Sequence, residues 1–281
     1  MGRTGRRVPV RSGTPEAIKV ASSFMLRHLI IAIGGLVGAL GPATSQELQP
    51  GIIGSDNRIA VVSDAPPWNS IGHVNIDGYR RVVKCSGVLV QPNVVLTAAH
   101  CVIDPRTHTG FPPHRIHFVQ NVHGTRMAGH AKAECLRFLS NYQPGSGDVQ
   151  DLLPRRQRSV QHLARDVVAI VLADPLAVDS IPLLDLHDIN LGLGLVHASY
   201  PADRRYRLMA DFQCRLISTV QHLWITDCDT HPASSGGPIF ARVGDTLKLG
   251  AIVVGGAQKR VTLAVPATEW AELARGVRCT M

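Results

Sequence analysis

No run of apolar residues in this 281-residue chain reaches the ~18–20 that a membrane-spanning helix needs. None of the six cysteines stands in a Cys-x-x-Cys pair, and His-Glu-x-x-His does not occur. Zinc-finger and zincin chemistry are therefore excluded as readings. Neither an internal repeat nor a low-complexity tract is present, which excludes solenoids. An excess of one charge is also missing from the body of the protein. The formal charge is +8, but residues 1–45 carry six basic side chains and one acidic one, or +5. The remainder holds 23 Lys+Arg against 20 Asp+Glu, or +3. That balance gives no reason to propose a nucleic-acid partner.

What is present can build a core. Hydrophobic residues make up 45% and charged residues 18%, a composition that excludes a disordered chain. Residues 1–45 read as a secretory signal peptide. Leu29–Gly41 has the length of an apolar h-region, Arg27 and His28 precede it, and Ala43-Thr44-Ser45 supplies small residues for cleavage. The leader is long, and a start at Met25 would give an ordinary short signal. Cys85, Cys101, Cys135, Cys214, Cys228 and Cys279 all follow it. An even number of cysteines in an exported chain implies disulfides, and six cysteines allow fifteen pairings.

After the leader, residues 46–70 read as an irregular strap rich in Pro, Gly, Ser and Asp. Short apolar runs then alternate with turn residues. They are Ile71–Ile76, Cys85–Val90, Val94–Ala99, Ile116–Val119, Val167–Leu172, Leu193–Ser199, Leu208–Ile217, Gly237–Arg242, Leu247–Val254 and Val261–Val265. Most are too short for helices and rich in Val, Ile and Leu, so the chain reads as an all-β barrel or sandwich. Ala267–Gly276 has helical spacing, with Trp270 and Leu273 on one face and Gly276 as a stop. The polar stretch Asn141–Gln161 reads as a surface loop, and Asp174–Pro182 as the crossing between two domains.

Three local patterns carry chemistry. One is Cys85-Ser86-Gly87 leading to Thr97-Ala98-Ala99-His100-Cys101. The second is Arg165-Asp166-Val167-Val168-Ala169-Ile170. The third is Cys228-Asp229-Thr230-His231-Pro232-Ala233-Ser234-Ser235-Gly236-Gly237-Pro238. In the order His, Asp, Ser they resemble the trypsin/chymotrypsin family of serine proteases over nearly all the chain from Ile52 onward. The Cys-Asp-Thr before Ser-Ser-Gly, with Ile53-Gly54-Ser55-Asp56-Asn57-Arg58 and Ser199-Tyr200-Pro201-Ala202-Asp203-Arg204, is similar to its bacterial glutamyl-endopeptidase branch.

The resemblance implies two packed six-stranded antiparallel β-barrels with a C-terminal α-helix, residues 71–175 forming the first barrel and 176–281 the second barrel and helix. It implies a serine endopeptidase with His100, Asp166 and Ser235 as catalytic triad, and the amides of Ala233 and Ser235 as oxyanion hole. A serine hydroxyl needs an adjacent base, and the base needs a carboxylate to fix its tautomer. The family has glycine where this chain has Ala233; if φ there is positive, alanine carries a steric cost. The family's aspartate before the nucleophile is Ser234 here, so activation is expected to depart from the trypsin scheme.

Asp229 matches the position that reads Arg or Lys in trypsins. Thr230 matches one used by the glutamyl-endopeptidase branch, whose histidine two residues after a strand glycine is Ile252 here. We read Arg or Lys ahead of Glu, with an apolar pocket left open. The family spacing implies a Cys85–Cys101 disulfide. Cys214 and Cys228 bracket a short stretch before the nucleophile and are expected to pair, which leaves Cys135 for Cys279. His108, His114, His117 and His123 read as solvated loop histidines, so no metal and no cofactor is expected. The partners are protein or peptide substrates, with no nucleic acid and no membrane span after signal cleavage, for a monomer secreted to the periplasm or medium. The rival readings are a catalytically impaired binding protein and an esterase using the same triad.

Overall fold

Short β-branched runs become the strands of two large antiparallel sheets and one two-stranded sheet in the computed structural model, which describes residues 51–78, 83–142, 160–257, 260–275 and 278–279. The signal-peptide segment 1–45, most of the expected 141–161 loop and the Gly276 stop lie outside the described residues. The strands are β1 Arg58–Val61, β2 Ile71–Ile76, β3 Val83–Gln91, β4 Val94–Ala98, β5 Ile103–Asp104, β6 Thr109–Gly110, β7 Ile116–Gln120 and β8 Gly129–Phe138. After a short helix α1, Val160–Leu163, come β9 Val167–Leu172, β10 Leu195–Ser199, β11 Leu208–Asp211, β12 Leu216–Val220, β13 Leu223–Thr226, β14 Pro238–Val243, β15 Thr246–Ala257 and β16 Val261–Pro266. Helix α2, Ala267–Ala274, closes the series. None of the helices among the described residues is long and apolar enough to cross a membrane.

The first sheet is a closed barrel in the order β2-β3-β4-β9-β8-β7. Its strands β4 and β9 are buried at every position, which is why they read as continuous apolar runs without alternation. The second sheet has eight strands in the order β1-β11-β10-β14-β15-β16-β13-β12. An antiparallel bridge between Gly194 and Arg215 joins its last strand back towards β10. There the amide of Leu195 donates to Cys214 O at 2.8 Å and that of Leu216 to Leu193 O at 3.1 Å. Six strands, β10-β14-β15-β16-β13-β12, thereby close on themselves, with β11 and β1 as an extension.

Four departures from the sequence expectation have physical causes. Residues 58–61 of the strap form a strand, because pairing with β11 satisfies their backbone (Arg58 opposite Asp211, Val61 opposite Leu208). The run Leu208–Ile217 divides into β11 and β12, since the chain changes neighbours at 212–215 to close the barrel. Strand β8 (GHAKAECLRF) has no apolar run to mark it, because small and charged residues alternate in it, buried only at Ala131 and Ala133. The expected 141–161 loop gives way to α1 at Val160.

Helix α2 buries Ala267, Trp270 and Ala274, and the Trp270 indole N–H donates to Val265 O at 2.8 Å. It packs on β9 as well as β15 and β16, so it bridges the two barrels. The disulfides join Cys85 to Cys101, Cys135 to Cys279 and Cys214 to Cys228. The second of these ties the C-terminus to the first barrel across a separation of 144 residues.

Candidate active site

Strand register brings the first two groups together. β4 and β9 run antiparallel with Ala98 opposite Val167, so the residues just past the end of β4 meet those just before β9. His100 lies in the 3-10 turn Ala99–Val102 that follows β4. The Cys85–Cys101 bond anchors that turn to the neighbouring strand β3. The Ala99 amide donates to Asp166 O at 3.1 Å.

The Asp166 side chain is fully buried and meets His100 twice. Its Oδ1 accepts the His100 backbone N–H at 2.8 Å, and its Oδ2 lies 2.7 Å from His100 Nδ1. A carboxylate oxygen can only accept, so Nδ1 carries the proton and Nε2 is left as a base. The His100 side chain retains 12% exposure, enough to meet a substrate.

Ser235 arrives on the loop between β13 and β14. Its carbonyl accepts the Ser86 N–H of β3 at 2.9 Å and lies 3.9 Å from Cys101 Sγ, next in chain to His100. The following turn requires glycine: Gly236 has φ +81°, and a Cβ there would strike Thr97 Oγ1 and Ser86 O. Ala233 has φ 75°, the left-handed region that costs an alanine about 1–2 kcal/mol. Among the described residues, the amides of Ala233 and Ser235 donate to no protein group. Two undirected N–H groups flanking one serine side chain can receive a developing oxyanion. Ser234 is buried, and its hydroxyl accepts the Ser199 hydroxyl at 2.9 Å and the His231 N–H at 3.1 Å. A hydroxyl pair therefore stands where an ion pair would stand in trypsins.

The specificity candidates are placed differently from the expectation. Asp229 accepts the Ile53 N–H on Oδ1 and the Asn57 N–H on Oδ2, both at 2.8 Å, and is 1% exposed. Both oxygens are thus occupied by the strap, which leaves none committed to an Arg or Lys side chain. Burial pushes its carboxyl above the usual range, against the pull of those two amides. The Thr230 N–H donates to Gly51 O at 3.0 Å. Gly51 has φ +81°, and a Cβ on it would come within 2.5 Å of Thr230 O. Ile252 is fully buried in the core. The strap is held further by Arg58, 5% exposed, which pairs with Asp56 at 2.9 Å and Asp203 at 2.8 Å.

Asp229→Ala is expected to free residues 51–57. Two donors would lose buried partners at a cost of about 1–3 kcal/mol each. Amide exchange over that segment should accelerate severalfold while β4 and β9 stay protected. Unchanged exchange at Ile53 and Asn57 would show that the clamp is unimportant.

Among the described residues, two side-chain groups have metal-ligand proximity. In one, the cysteines beside His100 are oxidised to a disulfide. In the other, Asp185 and Asp188 hold the ammonium of Lys248 at 2.8 and 3.0 Å.

Residues to which the sequence assigns no role also meet here. The Ser86 hydroxyl accepts the Tyr200 N–H at 2.9 Å and donates to Ala233 O at 3.0 Å. Its place inside Cys85-Ser86-Gly87 is the one signal of it in the sequence.

Two antiparallel β-barrels, with a His–Asp pair from one beside a serine loop of the other, define a chymotrypsin-like architecture. Residues 63–177 of the chain match the trypsin family model. Among solved structures, a Glu endopeptidase in complex with MPD is similar in fold, with TM-score 0.62 and 17% sequence identity. The match covers 80% of this chain and 99% of that one. No curated protein matches by sequence.

Proposed function

We propose that the protein is a secreted serine endopeptidase that cleaves peptide bonds through an acyl-enzyme, with His100, Asp166 and Ser235 as its triad. The observation that carries this reading is the doubly held His100, with Nε2 left as the base, beside a serine flanked by two undirected amides. His100 Nε2 takes the proton of Ser235 as its oxygen attacks the carbonyl carbon. The Ala233 and Ser235 amides hold the oxyanion, and the imidazolium, stabilised by Asp166, protonates the leaving amine. Water then enters, loses its proton to His100 and releases the acid product. Each oxyanion donor contributes about 3–4 kcal/mol to such a transition state. Export is supported by the leader at 1–45 and by three disulfides, which persist in oxidising compartments.

The positive φ at Ala233 bears on the impaired-protease alternative. The backbone adopts that conformation despite the Cβ, so the substitution of alanine for glycine leaves both amides undirected. At residue 229 the occupied carboxylate speaks against a basic-residue reader, and the substrate is therefore proposed at the level of proteins and peptides.

Intact mass after fluorophosphonate treatment tests the reading. One adduct is expected on the wild type and none on Ser235→Ala. A folded wild type with three disulfides that takes no adduct would overturn the proposal. Turnover of peptides as well as simple esters separates an endopeptidase from an esterase.

A further inference from the structure

We propose that Ser86, a residue of the first barrel, is a positioning residue for the oxyanion hole, and this rests on the serine-hydrolase reading above. Its side chain is fully buried, and its three polar groups make four hydrogen bonds. The hydroxyl accepts the Tyr200 N–H at 2.9 Å and donates to Ala233 O at 3.0 Å. The backbone N–H donates to Ser235 O at 2.9 Å. Its carbonyl accepts the Thr97 hydroxyl at 2.7 Å.

Ser86 therefore grips the loop on both sides of the nucleophile. Its hydroxyl fixes the peptide after Ala233, and its amide fixes the peptide after Ser235. The peptide between them carries the Ser235 N–H. The peptide preceding Ala233 carries the other oxyanion donor, and its direction depends on φ at Ala233. That φ is 75°, a conformation an alanine leaves readily because a negative φ relieves its Cβ. Without the hydroxyl, Ala233 O and the Tyr200 N–H lose their partner inside the protein. Rotation of the 233–234 peptide towards another partner would let φ relax and turn the Ala233 N–H away. A glycine at 233 would have no such incentive. The hydroxyl of Ser86 and the methyl of Ala233 are thus coupled: the first restrains what the second destabilises.

The test is steady-state kinetics on a peptide substrate for wild type, Ser86→Ala, Ala233→Gly and the double variant, with fluorophosphonate labelling rates beside them. Ser86→Ala should lower kcat about 10–100-fold, the cost of a misdirected oxyanion donor, with KM within about twofold. Labelling should slow in parallel. Placed on Ala233→Gly, the same change should cost less than about fivefold, a coupling that a generally loosened fold would not produce. Ser86→Thr, which keeps the hydroxyl, should recover most of the loss. If Ser86→Ala does not fold, the double variant against Ala233→Gly carries the comparison. Equal losses in both backgrounds, or a Ser86→Ala kcat within about twofold of wild type, would overturn the positioning role while a labelled wild type keeps the hydrolase reading. A wild type that neither labels nor turns over would take both down.

Discussion

Asp166→Asn should lower kcat about 10⁴-fold, the size this tautomer error has in Ser–His–Asp triads, or about 5.5 kcal/mol of barrier. The carboxylate offers two acceptors to two donors, the His100 amide at 2.8 Å and His100 Nδ1 at 2.7 Å. Asparagine has one acceptor and one donor group. If its oxygen keeps the fixed backbone N–H, its NH₂ must face Nδ1. Nδ1 then becomes the acceptor, the proton moves to Nε2, and no base faces Ser235. The alternative orientation sets NH₂ against the His100 N–H, donor against donor in a fully buried site. Shape and volume barely change, so the fold and KM should persist. The measurement is kcat together with thermal unfolding. A folded variant within tenfold of wild type would mean that His100 does not depend on Asp166 for its tautomer.

Acid should unfold the protein well above the pH at which its carboxylates titrate. His73 on β2 and His197 on β10 are buried, and among the described residues the Nε2 of each has no hydrogen-bond partner. Burial pulls both imidazoles down to about 4, against a weaker opposing backbone hydrogen bond at each. His197 Nδ1 lies 3.1 Å from Pro238 O, so it carries the proton and the buried Nε2 is left with its lone pair. The His73 ring stands edge-on to Tyr200 at 4.3 Å between centroids.

The sign follows from proton binding. Between about 4 and 6.5 the unfolded chain binds protons that the folded one refuses, so stability falls as pH falls through that window. Each histidine contributes about 3 kcal/mol over it. The pair then takes away about 6 kcal/mol, comparable with the whole stability of many domains. Asp56, held below the usual carboxylate range by its bond to Arg58, adds losses only below about pH 4. Urea unfolding at pH 7 and at pH 4 measures the difference. In His197→Asn, which stays neutral, about half the pH dependence should vanish even though stability at pH 7 drops. A variant as acid-sensitive as wild type would refute the assignment.

Local features are legible in the chain itself. Thr97-Ala98-Ala99-His100-Cys101 and Ser234-Ser235-Gly236-Gly237 need their residue types for reasons confined to a few neighbours: a buried turn, a base, a positive φ. Fully buried strands such as Val167–Leu172 announce themselves as apolar runs, and Trp270 with Leu273 marks one helix face. Strand β8 escapes because its burial rests on alanines between charged side chains, which no apolar count detects.

Tertiary structure alone decided the rest, because the partners lie far apart in sequence and meet only once register is set. Asp229 reads in sequence as the base of a pocket, yet it accepts the amide of Ile53, 176 residues earlier. Ser86 stands in Cys85-Ser86-Gly87 with no role of its own legible there, yet its hydroxyl holds Ala233, 147 residues later. A side chain's type limits what it can bond to. Which donor or acceptor it meets depends on how two barrels close and pack, and that geometry gave Ser86 its place under the nucleophile loop and Asp229 its hold on the strap.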